Sequence, residues 1–145
     1  MKKIFSFDSP REHYKADACI VWCFDGRFSG LLNAFSAQFK NFDLIKVAGG
    51  AKALSGGALP CRDFVLEQIE TSIRLHHAKQ IILMRHLDCG ADGGSESFPS
   101  LEKEMEYMTN ELADAKKFVA DKIPDVPIKT CFADFNGLYD VEVEE

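Results

Sequence analysis

The chain has 145 residues and a net charge of −6, from 17 Lys and Arg against 23 Asp and Glu. Hydrophobic residues make up 46% and charged residues 28% of the chain, which excludes a disordered, collagen-like or low-complexity protein. The acidic balance disfavours nucleic acid or an anionic membrane as a partner, and no apolar run approaches the roughly 20 residues of a membrane-spanning helix. Asp8, Pro10 and Arg11 interrupt the first apolar residues before a signal peptide can form, so we expect a cytoplasmic protein.

The first part of the chain predicts an arm, two strands and a helix. Residues 1–17 are polar and irregular, and we expect them to form an N-terminal arm to one domain over residues 18–145. A continuous apolar run over residues 18–23 is typical of a strand buried on both faces. Helical spacing predicts a first helix through four apolar residues: Leu31, Leu32, Phe35 and Phe39. Residues 42–47 form the second predicted strand.

The next part predicts two long helices on either side of a third strand, over residues 80–85. The second helix follows Gly56 and Gly57, and its predicted buried stripe contains Phe64, Val65, Leu66, Ile69 and Ile73. Ser100 is the predicted N-cap of the third helix, which ends before Pro124. The predicted buried stripe of that helix contains Leu101, Met105, Met108, Leu112, Ala115 and Val119.

The last elements complete an α/β fold. Residues 128–134 predict the fourth strand, and the turn signal Asn136-Gly137 predicts that residues 138–143 fold back antiparallel to it. Because strands alternate with helices, we expect a mostly parallel sheet in the order 2-1-3-4, flanked by helices, with a C-terminal antiparallel hairpin strand. Ligands of such sheets bind beyond the carboxyl ends of the strands.

Two of those strand ends carry residues with metal-binding chemistry. Cys23 ends the first strand, and His86 and Cys89 follow the third. If these strands are neighbours, two thiolates and one imidazole can meet around a tetrahedral zinc ion and leave a fourth position for water. Taken singly, each feature has a structural explanation, since a buried cysteine is a common core residue.

Asp25 and Arg27 lie on the loop beyond Cys23. A carboxylate there can accept a hydrogen bond from zinc-bound hydroxide, and a bidentate arginine can keep that carboxylate ionised and oriented. Alternatively, the two residues form a surface ion pair of little energetic value. The other three cysteines lack ligand spacing and are expected to be small core residues: Cys19, Cys61 and Cys131.

The motifs Cys23-x-Asp25-x-Arg27 and His86-x-x-Cys89-Gly90 together resemble those of the β-class carbonic anhydrases. The resemblance implies one zinc ion per chain, held by Cys23, His86 and Cys89, with Asp25 and Arg27 as the catalytic pair. It also implies that Asp25 can leave Arg27 and become a conditional fourth zinc ligand.

The resemblance further implies an activity, an assembly and a pocket. The activity is the reversible hydration of carbon dioxide to bicarbonate by zinc-bound hydroxide, and the assembly is a homodimer or a higher even oligomer. Gly49 and Gly50 stand where the family has a substrate-pocket segment, and Gly90 is expected to let the backbone approach the metal closely. Arg85 stands where the family often has glycine.

Other functions remain compatible with the sequence. A carbonic-anhydrase-like zinc protein can hydrolyse carbonyl sulfide or carbon disulfide instead. A second alternative is a non-catalytic zinc-binding regulatory or interaction protein, and a third is a metal-free α/β binding module.

Overall fold

The computed structural model describes residues 1–56 and 60–142, and it contains a five-stranded sheet with helices packed against it. The strands are β1 (Ala18–Cys23), β2 (Phe42–Val47), β3 (Ile81–His86), β4 (Ile128–Ala133) and β5 (Leu138–Asp140). Their order in the sheet is β2-β1-β3-β4-β5. β1 to β4 are parallel, and β5 pairs antiparallel with β4. The predicted α/β fold and strand order are therefore confirmed, while Val143 lies outside the described residues.

Three α-helices connect the parallel strands: α1 (Ser29–Ser36), α2 (Pro60–His76) and α3 (Leu101–Lys122). Ser100 caps α3 as predicted, because its side chain accepts a hydrogen bond from the backbone nitrogen of Lys103 at 3.2 Å. Residues 1–17 contain no helix or strand, and their separation from the domain as an arm stays a prediction. None of the helices in the described ranges combines the length and the apolar character that a membrane span requires.

Side chains of β1 alternate between two apolar clusters, as expected of a strand covered on both faces. Cys19 and Val21 pack in a cluster with α2 and the C-terminal half of α3. Ala18, Ile20 and Trp22 pack in a second cluster that includes Leu32 of α1. The clusters fix the sheet between the helices, so the ends of β1 and β3 are held rigidly.

The predicted buried stripes are wrong at several positions. Phe64 of α2 is 58% exposed, and in α3 Leu101 and Met105 are 59% and 44% exposed. The buried face of α3 instead runs through Glu104, Met108, Leu112, Ala115 and Val119. Leu101 and Met105 consequently line a cleft of about 480 Å³ between α3 and β5. Cys61, expected in the core, is exposed on the first turn of α2.

The turn between β4 and β5 differs in detail from the turn suggested by Asn136-Gly137. Neither residue has the positive φ that a type I′ turn requires. Instead, the carboxylate of Asp134 accepts hydrogen bonds from the backbone nitrogens of Asn136 at 2.8 Å and Gly137 at 2.9 Å. A side-chain acceptor therefore stabilises this turn.

Candidate metal centre

The sheet brings Cys23, His86 and Cys89 together. Cys23 is the last residue of β1 and His86 the last of β3, and these strands are neighbours. Their candidate ligand atoms all lie within 4.8 Å of one another. The three residues are at most 2% exposed. Parallel pairing of adjacent strands thus produces the cluster that the sequence predicts.

His86 is oriented to offer a free nitrogen to the cluster. Its Nδ1 lies 2.7 Å from the carbonyl oxygen of Leu87, which can only accept, so Nδ1 carries the hydrogen and donates it. The other nitrogen, Nε2, is buried and has no hydrogen-bond partner within the described part of the chain. A buried imidazole nitrogen without a hydrogen-bond partner, beside two thiols, fits a zinc ion, whose usual ligands are imidazole nitrogens and cysteine sulfurs.

The two sulfurs interact directly. A hydrogen bond between them lowers the pKa of Cys89 and raises the pKa of Cys23. Backbone N–H groups of Asp25 and Gly49 also bond to the Cys23 sulfur, and the N–H of Ala91 bonds to the Cys89 sulfur. Such donors favour the thiolate form, which is the form that binds a metal.

Arg27 holds Asp25 beside this cluster. The guanidinium Nη2 donates to Asp25 Oδ2 at 2.7 Å, and Nε donates to Oδ1 at 3.1 Å. This bidentate pair lowers the pKa of Asp25 to about 2. Asp25 Oδ2 also lies 3.9 Å from Nε2 of His86. The carboxylate is therefore next to the cluster but bound to Arg27, and its role as a conditional fourth ligand stays a prediction.

The loop after His86 is fixed by hydrogen bonds on both of its sides. Arg27 Nη1 donates to Asp88 Oδ2 at 2.9 Å, and Nη2 donates to the Asp88 carbonyl oxygen at 2.9 Å. The other carboxylate oxygen of Asp88 accepts a hydrogen bond from the backbone nitrogen of Ser95 at 2.8 Å. One arginine thus connects the loop that follows β1 to the loop that follows β3.

Aromatic rings form one wall of the centre. The Phe28 ring lies 4.3 Å from the His86 ring and 5.3 Å from the Phe135 ring, measured between centroids. The guanidinium carbon of Arg27 lies 5.2 Å from the centroid of Phe135, within range of a cation–π contact. Phe135, on the β4–β5 turn, therefore covers both Arg27 and the ring that packs on the histidine.

The three glycines named from sequence lie around the cluster. Gly49 and Gly50 are buried and have positive φ of 77° and 56°. A Cβ at Gly50 would lie 2.6 Å from the Met84 carbonyl oxygen, so this residue permits close packing over the sheet. Gly90 is exposed, and no atom lies within 4 Å of the position that its Cβ would take. Their membership of a substrate pocket stays a prediction.

Sequence reasoning missed two buried charged residues near the cluster. Arg85 is fully buried, and Glu104 is 1% exposed. A glutamate at position 104 also suits the positive end of a helix, so its residue type alone does not indicate burial. One signal was available, because Glu104 stands four residues before the buried Met108 and so lies on the same helical face. Arg85 likewise interrupts the apolar run of a strand that is buried throughout.

Comparison with known proteins agrees with this geometry. A family model described as "Putative carbonic anhydrase" matches residues 13–143. A protein of Rickettsia bellii (strain RML369-C), named only as an uncharacterized protein, is 28% identical over 148 aligned positions. The alignment covers 94% of this chain and 90% of the Rickettsia protein.

Solved structures with the same fold include enzymes of two activities. A β-carbonic anhydrase of Trichomonas vaginalis has a TM-score of 0.64 at 14% identity, covering 93% of this chain and 87% of its own. The apo form of a carbon disulfide hydrolase has a TM-score of 0.53 at 13% identity, covering 88% and 79%. These likenesses show the shared fold. Because the family model spans nearly all of its length, the chain belongs to the carbonic anhydrase-like family that this model describes.

Proposed function

We propose that this protein is a zinc-dependent enzyme that hydrates carbon dioxide reversibly to bicarbonate. The observation that carries the proposal is the buried Cys23, His86 and Cys89 cluster with the carboxylate of Asp25 held beside it. A structural cysteine pair would not need a histidine whose free nitrogen is buried without a partner, nor an oriented carboxylate next to it. Membership of the carbonic anhydrase-like family supports the same reaction class.

Cys23, His86 and Cys89 would hold one zinc ion per chain. When bound, zinc lowers the pKa of a coordinated water to roughly 7 and so supplies hydroxide at neutral pH. Asp25 would accept a hydrogen bond from the attacking hydroxide and so aim an oxygen lone pair of that hydroxide at the carbon of the substrate. Arg27 fixes the position of Asp25 through its two hydrogen bonds. Phe28 and Phe135 exclude bulk water on one side.

The remaining site assignments are part of the same proposal. We assign Asp25 and Arg27 as catalytic residues and Gly49, Gly50 and Gly90 as backbone that borders the substrate. Open space for a small linear molecule lies at Gly90, whereas Gly49 and Gly50 let the neighbouring backbone pack closely beside the cluster. The proposed compartment is the cytoplasm, where reducing conditions keep the thiols free to bind metal.

A homodimer or a higher even oligomer is the proposed assembly. Its support is the exposed apolar surface of the single chain, which includes Phe24, Leu101 and Met105 at 65%, 59% and 44% exposure. Such groups are stabilised when a partner covers them. Light scattering coupled to gel filtration checks this proposal: we expect twice the chain mass of 16.2 kDa or a higher even multiple of it, and a mass of one chain would contradict it.

Hydrolysis of carbon disulfide or carbonyl sulfide is the second candidate. The observation that favours it is the structural likeness to a carbon disulfide hydrolase. These substrates are linear heteroallenes like carbon dioxide, and the same oriented water would attack their central carbon. Sulfide release and carbon dioxide hydration, measured on one preparation, distinguish the two candidates.

Metal analysis and stopped-flow kinetics test the main proposal. We expect about one zinc per chain and accelerated carbon dioxide hydration between pH 6 and 9. Cys89→Ser should lose both, whereas Cys131→Ser is the matched control, because Cys131 is also buried but lies outside the cluster. Zinc without hydration of any heteroallene would indicate a non-catalytic zinc protein. A wild-type protein without zinc would indicate the metal-free module.

A further inference from the structure

Arg85 lies against the metal cluster from the opposite side to Asp25. It precedes His86 in β3, so the two side chains point to opposite faces of the sheet. The Arg85 side chain is 0% exposed. Its Nη1 lies 3.8 Å from the sulfur of Cys89, within the range of an N–H···S hydrogen bond, and also donates to the Gly49 carbonyl oxygen.

This arginine belongs to a ring of four alternating charges. Arg85 Nη2 pairs with Asp92, whose other oxygen lies 2.7 Å from the Lys52 ammonium. Lys52 lies 3.3 Å from Glu111, and Glu111 returns to Arg85 Nε at 3.1 Å. This four-charge ring joins Arg85, Asp92, Lys52 and Glu111, and no member side chain is more than 31% exposed. Buried charges are tolerated when each is paired, and here each has two partners.

The ring leaves one part of the guanidinium for the cluster. The carboxylates pair with Nη2 and Nε, and Nη1 is directed to the Cys89 sulfur and to Gly49. The Gly49 N–H in turn bonds to the sulfur of Cys23. Arg85 therefore contacts the Cys89 sulfur directly. It also contacts Gly49, the residue whose N–H bonds to the Cys23 sulfur.

We propose that Arg85 is a positioning residue for the metal centre, which holds the Cys89 sulfur and withdraws electron density from it through an N–H···S hydrogen bond. The inference rests on the proposed zinc site but not on the identity of the substrate. A hydrogen bond to a coordinated thiolate stabilises the sulfur lone pairs, so the sulfur donates less charge to the metal. The metal then stays more electrophilic toward water.

Substitution of zinc by cobalt distinguishes a hydrogen bond from Arg85 to the sulfur from a purely structural role of Arg85. Co²⁺ in place of zinc gives a sulfur-to-metal charge-transfer band whose energy reports the sulfur lone pairs. In Arg85→Met we expect this band to move to longer wavelength, because the sulfur lone pairs lose the N–H donor. We expect zinc affinity, measured against a chromophoric chelator, to fall about 10- to 100-fold, because the Cys89 sulfur is no longer held in position. Lys52→Met is the matched control, since it removes one cation from the ring without touching a sulfur. We expect its band to stay in place.

Arg85→Lys keeps the inference testable if Arg85→Met folds poorly. Lysine retains the charge of the ring but lacks the planar fork that reaches the carboxylates and the sulfur together. The charge-transfer band of Arg85→Lys should move as in Arg85→Met, while its free energy of unfolding stays nearer that of the wild type. An unmoved band in both Arg85 variants, or an equal movement in Lys52→Met, would overturn the inference.

Failure of the proposed function and failure of the Arg85 inference give different experimental results. A wild-type protein that takes up cobalt but hydrates no heteroallene contradicts the proposed reaction, and the band positions still test Arg85. A wild-type protein that takes up neither zinc nor cobalt overturns both proposals.

Discussion

Glu104 accepts a hydrogen bond from the backbone nitrogen of Asp88 at 2.7 Å, although Glu104 is only 1% exposed. Asp88 has a φ of 58°, in the left-handed region that non-glycine residues rarely adopt. The same carboxylate oxygen also accepts from the hydroxyl of Ser95 at 3.0 Å. Glu104 thus links helix α3 to the loop that carries Cys89 and stabilises the unusual conformation of that loop.

We expect Glu104→Ala to lower the free energy of unfolding by about 1–3 kcal/mol, because it leaves the part-buried backbone N–H of Asp88 without its acceptor. Glu104→Gln keeps an acceptor oxygen and should cost less. Urea unfolding measures both. Glu102→Ala, an exposed change on the same helical turn, is the control and should stay within about 1 kcal/mol of the wild type. Equal stabilities of Glu104→Ala and Glu102→Ala would contradict this role.

The case of Glu104 shows why part of the site could not be predicted. The apolar runs, and the alternation of strands with helices, predict where β1 and β3 end and that these strands are neighbours. They therefore also predict that Cys23, His86 and Cys89 meet. Which face of α3 is buried depends on where the helix crosses the sheet. A glutamate on that face would be costly without its backbone partner, and the partner lies in a loop whose conformation the sequence pattern does not specify.

Gly50 supports the same centre by packing closely. We expect Gly50→Ala to destabilise the protein by about 2–4 kcal/mol, since its Cβ would lie 2.6 Å from the Met84 carbonyl oxygen and its φ is 56°. Gly30→Ala is the control, because no atom lies within 4 Å of the new Cβ in α1. That change should be neutral or stabilising by up to about 1 kcal/mol. Thermal unfolding should therefore give a lower Tm for Gly50→Ala and an equal or higher Tm for Gly30→Ala, and equal values of Tm for the two variants would contradict this role of Gly50.

Zinc should stabilise the folded chain by an amount that grows with the ratio of its free concentration to its dissociation constant. Free zinc at about 100 times its dissociation constant is expected to add about 2.7 kcal/mol to the free energy of unfolding, because the three ligands meet only in the folded state. Removal of zinc by a chelator should reverse the gain. Denaturant unfolding at several zinc concentrations measures the effect, and Cys89→Ser should show no such dependence. A zinc response retained by Cys89→Ser would place the ion elsewhere.

Arg27→Lys tests the bidentate pair. Lysine keeps the charge but cannot bind both oxygens of Asp25 and the Asp88 carbonyl together, so we expect kcat/KM for hydration to fall about 100-fold. Stability should change by less than about 1 kcal/mol, since the arginine side chain is 48% exposed. Arg74→Lys, on the exposed last turn of α2, is the control. Wild-type rates for Arg27→Lys would remove Arg27 from the mechanism.

The four-charge ring marks a second limit of prediction from sequence. Lys52, Arg85, Asp92 and Glu111 come from four separate elements, and each alone is an ordinary surface residue type. Only the position of Arg85 within a strand buried on both faces signals that carboxylates must lie nearby, because a buried guanidinium needs partners. The sequence indicates that partners exist but does not identify them.

Asp43 joins the chain near residue 14 to β2 and α2, at the opposite edge of the sheet from β5. It accepts hydrogen bonds from Tyr14 at 2.5 Å and Ser72 at 2.7 Å, and its Oδ2 lies 2.7 Å from His76 Nδ1. Burial acts to raise the pKa of Asp43, but the hydrogen bonds from Tyr14, Ser72 and His76 outweigh it, so the pKa lies below its usual value. The Asp43 carboxylate in turn raises the pKa of Tyr14 to about 12.

A lowered carboxyl pKa makes this stabilisation depend on pH. It is fully present above the unfolded-state pKa of about 3.9, and it is lost as the pH falls through the lower folded-state value. We expect Asp43→Asn to be less stable than the wild type by about 1–2 kcal/mol at pH 7, because the charge-assisted hydrogen bonds are weakened. The difference should shrink as the pH falls below about 4, because Asp43 of the unfolded wild-type chain takes up a proton there, and it should vanish once the folded-state carboxylate is protonated too. Urea unfolding between pH 3 and 7 measures it, with the exposed Asp114→Asn as control. A difference that stays constant down to pH 3 would show that the charge of Asp43 contributes nothing.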